Sequence, residues 1–499
     1  MSEEKYKDNR QAGDSMPSCT TLIRNVLVVD GSGGEPQDAD VAIDGERILA
    51  IGKLHNYKAE NTINGDGKAL APGFIDAHTH DDTNVIRTPG MLPKLSQGIT
   101  TVIVGNCGIS AAPVQLHGEP PDPMNLLGDA DVFQYPTFAS YVEAIAAARP
   151  TVNVAALVGH TALRSNHMDR LDRAATSAEI DSMRAQLCEA LDGGALGLST
   201  GLAYLSAYSA STEEVMVLAE PLAEAGAIYT THLRSETETI LDAMDEAFRI
   251  GKHAKVPVVI SHLKCAGIAN WGRSTEVLEL FDQKRQSQPV GCDCYPYAAG
   301  SSTLDLRQVD ERVTIQITWS KAHPEKAGQT LAQIAESWGL QQIEAARRLQ
   351  PAGAIYHSIL EEDMRAILRH PATMIGSDGL PNDPLPHPRL WGTFPRVLGY
   401  YCRDQGLFSL AEAVRKMTSL PAQRFGFVDR GWIREGYYAD LVLFDPAAVR
   451  DVATFADPVR PAAGIDAVWV NGGMTYEDFA PTGQRAGRFL PRRDRISYV

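Results

Sequence analysis

Cysteine, positive charge and long apolar runs are all scarce in this 499-residue chain, and each scarcity excludes something. Seven cysteines, an odd number spread thinly, do not form a disulfide framework. They suit free thiols in a reducing compartment, so a cytoplasmic location is expected. Lys and Arg number 46 against 62 Asp and Glu, a formal net charge of -16, which argues against an electrostatic nucleic-acid surface. No stretch approaches the roughly 20 apolar residues of a membrane helix. The opening "MSEEKYKDNRQAGDSMPS" is polar throughout and lacks the apolar centre of a signal peptide, so residues 1–18 are expected to be a disordered tail. No GxGxxG fingerprint opens the strand–helix region, which counts against a dinucleotide-binding open sheet. What is present, 44% hydrophobic and 22% charged residues, is ordinary for a globular chain able to hold a large core and a smaller companion.

Short β-branched runs recur between helix-like stretches such as "SAEIDSMRAQLCEALDGG" and "TETILDAMDEAFRIGKHAK". They are "PGFIDAHTH" (72–80), "GITTVIVGN" (98–106), "VNVAALVGH" (152–160), "GALGLST" (194–200), "AIYTTHL" (227–233), "VPVVISHLK" (256–264), "VGCDCYPY" (290–297) and "TMIGSDG" (373–379). Eight strands alternating with helices predict an α/β chain with a (β/α)8 TIM-like barrel over residues 71–430, its functional residues gathered at the C-terminal strand ends. Residues 19–70 and 431–499 instead alternate around Asp-Gly and Asn-Gly turns. They predict one small β-sandwich domain assembled from both termini, the second part running into a C-terminal tail. The interval 298–365 is too long for a simple crossover and predicts an inserted lid between strands seven and eight.

The strand ends carry the chemistry. His78 and His80 lie two apart, a spacing that turns both imidazoles of a strand to one side. His232 ends strand five, His262 strand six and Asp378 strand eight, while Cys107 ends strand two between glycines in "GNCGIS". A thiolate with several imidazoles suits Zn²⁺ better than an oxygen-seeking Mg²⁺. Cys107 is therefore expected to be a metal ligand, with its glycines letting backbone pass close to a crowded site.

The series "PGFIDAHTHDD … GITTVIVGNCGIS … GLSTGLAY … THLRSE … SHLKCAG … CYPY … GSDG … HPR" resembles the N-acyl-D-amino-acid deacylases (D-aminoacylases) of the amidohydrolase superfamily, across residues 20–480. The resemblance implies a zinc-dependent hydrolase that splits N-acyl-D-amino acids into a carboxylate and a free D-amino acid. It implies Cys107, His232 and His262 as tight ligands and His78, His80 and Asp378 as a second, weaker metal position. Cys107 then stands where many relatives carry a carboxylated lysine. Asp378 would be the general base and acid toward water and leaving amine. Lys264, Tyr295, Tyr204 and Ser301 correspond to residues around the substrate carboxylate. Arg389 is suited by its planar fork to the same task, or to fixing the loop after strand eight.

His160 is expected to orient neighbours, and Cys292 and Cys294 to pack in the core; Cys265 has no assignable role. Arg307 is available to an acidic substrate side chain, although a broad or neutral hydrophobic preference is favoured. A cyclic-amide hydrolase of the dihydroorotase or dihydropyrimidinase kind is the alternative reading. Neither nucleic acid nor membrane is expected as a partner, and the oligomeric state is left open, a monomer being compatible.

Overall fold

The structure is a computed structural model that describes residues 16–493. Of the tail expected over 1–18, residues 1–15 lie outside the described residues, whereas Ser18 already opens the strand Ser18–Val28. The strand starts there because Ser18–Arg24 pairs in parallel with Lys58–Asn64.

Each of the eight apolar runs contains a strand. In order they are Phe74–Asp76, Ile99–Val104, Asn153–Ala156 continued by Val158–Gly159, Gly197–Gly201, Ile228–His232, Val258–Ile260, Val290–Cys294 and Thr373–Ile375. Neighbours pair in parallel around the series. The first and last also meet, since the Ala77 N–H donates to Ile375 O at 3.2 Å and Thr79 bridges Gly379 in parallel. The array is a closed ring. Alternation along each strand sorts its side chains. Ile103, Ala155, Leu196, Ile228, Val259 and Met374 share an interior cluster with Phe425 and Leu490. Val102, Val154, Leu198, Tyr229, Val258 and Cys292 pack in the separate cluster that includes the helix residues Leu187, Phe248 and Phe281. The helices are locally well specified: Ser177–Asp192 opens with a Thr176/Glu179 capping box. Ile240–Ala254 has Asp242 in its first turn and Lys252 and His253 in its last, as the helix dipole prefers.

Both ends of the chain build one nine-stranded sheet. Its seam is the antiparallel pairing of Ala69–Pro72 with Leu441–Phe444. The Asn471-Gly472 turn between Ile465–Val470 and Gly473–Glu477 has φ of 48° and 78°, the left-handed pair a tight hairpin requires. The chain passes from Ala69–Pro72 directly into the first ring strand. The last described segment does not stay with the sheet. It runs beneath the ring, where Val154 donates to Arg488 O (2.9 Å) and Leu490 to Val154 O (2.7 Å), and Leu490 closes the interior cluster.

The long interval before the eighth strand contains two helices, Leu331–Trp338 and Gln342–Leu349. It also contains a three-stranded antiparallel sheet of Gly300–Thr303, Ile315–Ser320 and Ala352–Tyr356 that the sequence reading missed. Ile317, Leu331, Ile334, Ala345, Leu349 and Ala354 give this unit a core of its own. Among the described residues, no helix is long and apolar enough to cross a membrane.

Candidate metal centre

The six candidate ligands converge at the C-terminal end of the ring. They form two groups sharing one thiol, His78/His80/Cys107/Asp378 and Cys107/His232/His262, with the donor atoms of each group within 4.8 Å of one another. Cys107 Sγ lies 3.3 Å from Nε2 of both His78 and His262. Asp378 Oδ1 lies 3.2 Å from His80 Nε2 and 3.5 Å from His78 Nε2.

Only His232 belongs to a strand as expected. Cys107 and His262 do not end theirs; the second and sixth strands stop at Val104 and Ile260, and both ligands sit in turns beyond them. The backbone there is left-handed, φ being 54° at Cys107, 35° at His262 and 48° at Asp378. Such backbone costs about 1–3 kcal/mol at a non-glycine residue and concentrates at functional sites. Gly105 makes the Cys107 turn possible, because a Cβ there would sit 2.1 Å from Leu157 O and φ is +80°. Ser199, from the fourth strand, clamps the turn by accepting the Gly108 N–H at 3.0 Å.

The charges in this cluster are mutually dependent. Burial alone would push the Cys107 thiol up, but the imidazoles of His78 and His262 hold it well below its ordinary value. Burial opposes charging His80, yet its hydrogen bonds to Asp378 and Cys107 raise it to about 9. Burial likewise works against the Asp378 carboxylate, and Arg389 and the histidines overcome it. A thiolate, a carboxylate and four imidazoles, packed this closely and almost wholly buried, form a donor set that fits Zn²⁺.

Three supporting residues were not recognised in the sequence. Asp293 projects inward from the seventh strand, opposite in parity to Cys292 and Cys294. Its Oδ2 lies 3.4 Å from His78 Nδ1, and its Oδ1 accepts the His262 N–H at 2.9 Å. Glu236 places Oε1 3.0 Å from His262 Nδ1 and 2.6 Å from Lys264 Nζ. Carboxylates in these positions set the orientation of a ligating imidazole. Lys94, fully buried, joins the loops of the first and eighth strands: its ammonium donates to Asp76 (2.8 Å), Thr79 (2.8 Å) and Ser377 (3.1 Å) and pairs with Asp81 at 3.0 Å. The one legible signal was a carboxylate alone in the middle of an apolar strand, "CDC".

A cleft opens from the cluster, lined at its inner end by His80, His232, His262 and Asp378, and beside them by Lys264, Tyr204, Tyr295 and Ser301. The hydroxyls of Tyr295 and Ser301 are buried without a hydrogen-bond partner. Burial pushes the Tyr295 phenol up to about 12, so it is a neutral donor. Tyr204 touches Ser302 at 3.4 Å and packs on His232, with ring centroids 4.8 Å apart. Arg389 ties Asp378 to the inserted unit: Nη1 pairs with Asp378 Oδ2 at 2.9 Å, and Nη2 donates to Ser301 O at 3.0 Å. His160 stands apart from the cleft, 3.1 Å from Glu214. Cys292 and Cys294 pack among apolar side chains, as does Cys265, whose thiol burial pushes up to about 12.

The profile of the Amidohydrolase family matches residues 61–476. D-aminoacylase of Alcaligenes xylosoxydans xylosoxydans is 49% identical over 96% of this chain and 99% of its own length. The chain belongs to the N-acyl-D-amino-acid deacylase family of the amidohydrolases. It is an amidohydrolase, a metal-dependent hydrolase. Two other members from that organism, an N-acyl-D-aspartate deacylase and an N-acyl-D-glutamate deacylase, are each 46% identical, covering 98% and 95% of the chain and 99% and 96% of their own lengths. A D-aminoacylase crystal structure matches with a TM-score of 0.94 at 49% identity, over 95% of this chain and all of that one. The N-acyl-D-glutamate deacylase of Bordetella bronchiseptica, solved with zinc and a phosphonate mimic of the tetrahedral intermediate, matches with 0.91 at 43% identity over the same shares. Family membership leaves the amino-acid side chain undecided, because members named for different side chains are almost equally similar.

Proposed function

We propose that this protein is a zinc-dependent N-acyl-D-amino-acid deacylase working at the mouth of a (β/α)8 barrel, with the terminal sheet as its β-sandwich domain and residues 298–365 as its lid. The observation that carries this reading is one cleft holding both halves of the task. At one end Cys107 is shared by two ligand groups beside Asp378, and next to them stand the unpartnered hydroxyls of Tyr295 and Ser301. In this reading Cys107, His232 and His262 hold one zinc ion tightly, and His78, His80 and Asp378 offer a weaker second position. A zinc ion bound there supplies Lewis-acid chemistry, making water more acidic and an amide carbonyl more electrophilic.

Asp378 Oδ1, facing His80, takes the proton from the attacking water and returns it to the departing nitrogen. Arg389 keeps that carboxylate ionised and oriented. Tyr295, Ser301 and Lys264 receive the substrate carboxylate, with Tyr204 closing the wall. Glu236 balances the Lys264 charge, so the cleft meets an anion with directed donors rather than a loose ammonium. Preference for the D-isomer rests on the named relatives. An uncharged cyclic amide such as a dihydropyrimidine would leave the Tyr295 and Ser301 hydroxyls without a carboxylate to receive.

The test is hydrolysis of N-acetyl-D-methionine, N-acetyl-D-glutamate and their L-isomers by purified protein, with zinc counted on the same sample. The expected outcome is D-selective turnover with at least one zinc per chain. Asp378→Asn should lose about 10²–10⁴-fold in turnover while Cys107/His232/His262 keep their zinc. Zinc together with turnover of dihydropyrimidines alone would overturn the proposal in favour of cyclic amides.

A further inference from the structure

Resting on the deacylase reading, the structure also bears on which D-side chain the enzyme accepts. Away from the metal ligands the cleft is walled by Leu126, Ala203, Tyr356, Ile359, Gln308 and Asp305. Arg307, the basic residue available to an acidic side chain, is absent from that lining. Asp305 holds its guanidinium as a fork, Nε at 3.0 Å from Oδ1 and Nη2 at 2.7 Å from Oδ2. Nη2 also donates to the carbonyl of Ala203 at 2.7 Å, and the guanidinium lies 5.2 Å from the centre of the Tyr208 ring. The hold is local and built in: Asp305 caps the short turn Leu306–Gln308 by accepting the Arg307 N–H at 2.8 Å.

Lys264, which does line the cleft, is engaged by Glu236 at 2.6 Å, and Arg389, outside that lining, pairs with Asp378 at 2.9 Å. Near Asp305 lies a second acid, Asp122, whose Oδ1 is buried without a partner and whose carboxyl is raised by burial and by the charge of Asp305. An acidic substrate side chain would have to shed water beside Asp305 with nothing positive to receive it, whereas an uncharged one meets apolar wall.

We propose that Asp305 is the specificity-determining residue: by holding Arg307 behind the wall it reserves the cleft for uncharged D-side chains and turns away D-aspartate and D-glutamate. Arg307 is long and part-exposed, its side chain 42% accessible, so release from Asp305 lets it turn toward the substrate.

The experiment compares kcat/KM for N-acetyl-D-methionine and N-acetyl-D-glutamate on the zinc-loaded full chain, as wild type, Asp305→Asn, Arg307→Ala and the double variant. Wild type should favour methionine by about tenfold or more, and Asp305→Asn should move the ratio toward glutamate by about tenfold. The double variant should restore the original ratio, and Arg307→Ala alone should leave it within about twofold. A wild-type preference for glutamate overturns the inference, as does a ratio unmoved by Asp305→Asn. If Asp305→Asn does not fold, Arg307→Ala decides, because a tenfold loss confined to glutamate would make Arg307 a reader of acidic side chains. Methionine turnover with an unmoved ratio sinks this inference alone, whereas no turnover of any D-substrate removes the deacylase reading with it.

Discussion

Glu214 shows how much one buried residue can depend on its partners. Its carboxylate lies 3.1 Å from His160 Nε2, accepts the Ala175 N–H at 2.9 Å, and pairs with Arg164. Burial alone would raise its pKa, but His160 and Arg164 bring it down to about 2 from an ordinary 4.5. A carboxyl more acidic in the folded than in the unfolded state adds stability that is complete above the unfolded value and lost as pH falls through the folded one. Glu214→Gln should therefore be less stable than wild type at pH 7, and the difference should shrink between about pH 4.5 and 2. Urea unfolding of both proteins at pH 7, 4 and 3 measures this. A gap that stays constant would show that another group titrates. This role for His160 was half legible: its position after the third strand could be read, but its partner lies 54 residues further on.

At the scale of elements, the unit that matters is the junction of the first and eighth strands. Thr79 stands between His78 and His80, and Ser377 precedes Asp378, so the Lys94 ammonium that binds both hydroxyls also sets where those ligands stand. Lys94→Met would leave Asp76 and Asp81 buried without their cation, a loss of about 3–5 kcal/mol for breaking a buried pair. The expected result is a lower melting temperature and weaker zinc binding at His78/His80/Asp378, with the Cys107/His232/His262 zinc retained. Calorimetry and a zinc titration read the two effects separately. A folded variant with unaltered zinc binding would reduce Lys94 to a packing role. The inserted unit makes a different point about elements. Its first helix is opened locally by the Thr330 cap, but its strands are short and acquire their pairing only when Ala352–Tyr356 returns between the other two.

For the whole molecule, five of the eight ring strands contribute to one cluster through loops that include left-handed backbone at Cys107, His262 and Asp378. A cation held by these loops ties distant parts of the chain together, so binding should stabilise the entire fold. Ligand at about 100 times its dissociation constant adds about 2.7 kcal/mol. Chelation should thus lower the melting temperature and graded zinc should restore it; a melting temperature indifferent to zinc would mean that packing alone holds the loops. Much of this architecture was open to sequence reading. Each ring strand overlaps the run expected to form it, and the ligand types stand at or shortly after the strand ends, because apolar alternation and strand-ending turns are local properties. What no local pattern contains is the choice of partner. Ring closure brings residue 78 beside residue 378, Asp293 reaches His78 across 215 positions, and Lys94 reaches Ser377 across 283. Even Arg307, two residues from Asp305, could be read as free until its side chain was placed. The sequence by itself determined the ring strands and the chemistry of the donors. The tertiary structure alone decided which donors share a cation and which charges are already spent, because those depend on distances between groups far apart in the chain and on where each side chain finds its counter-charge.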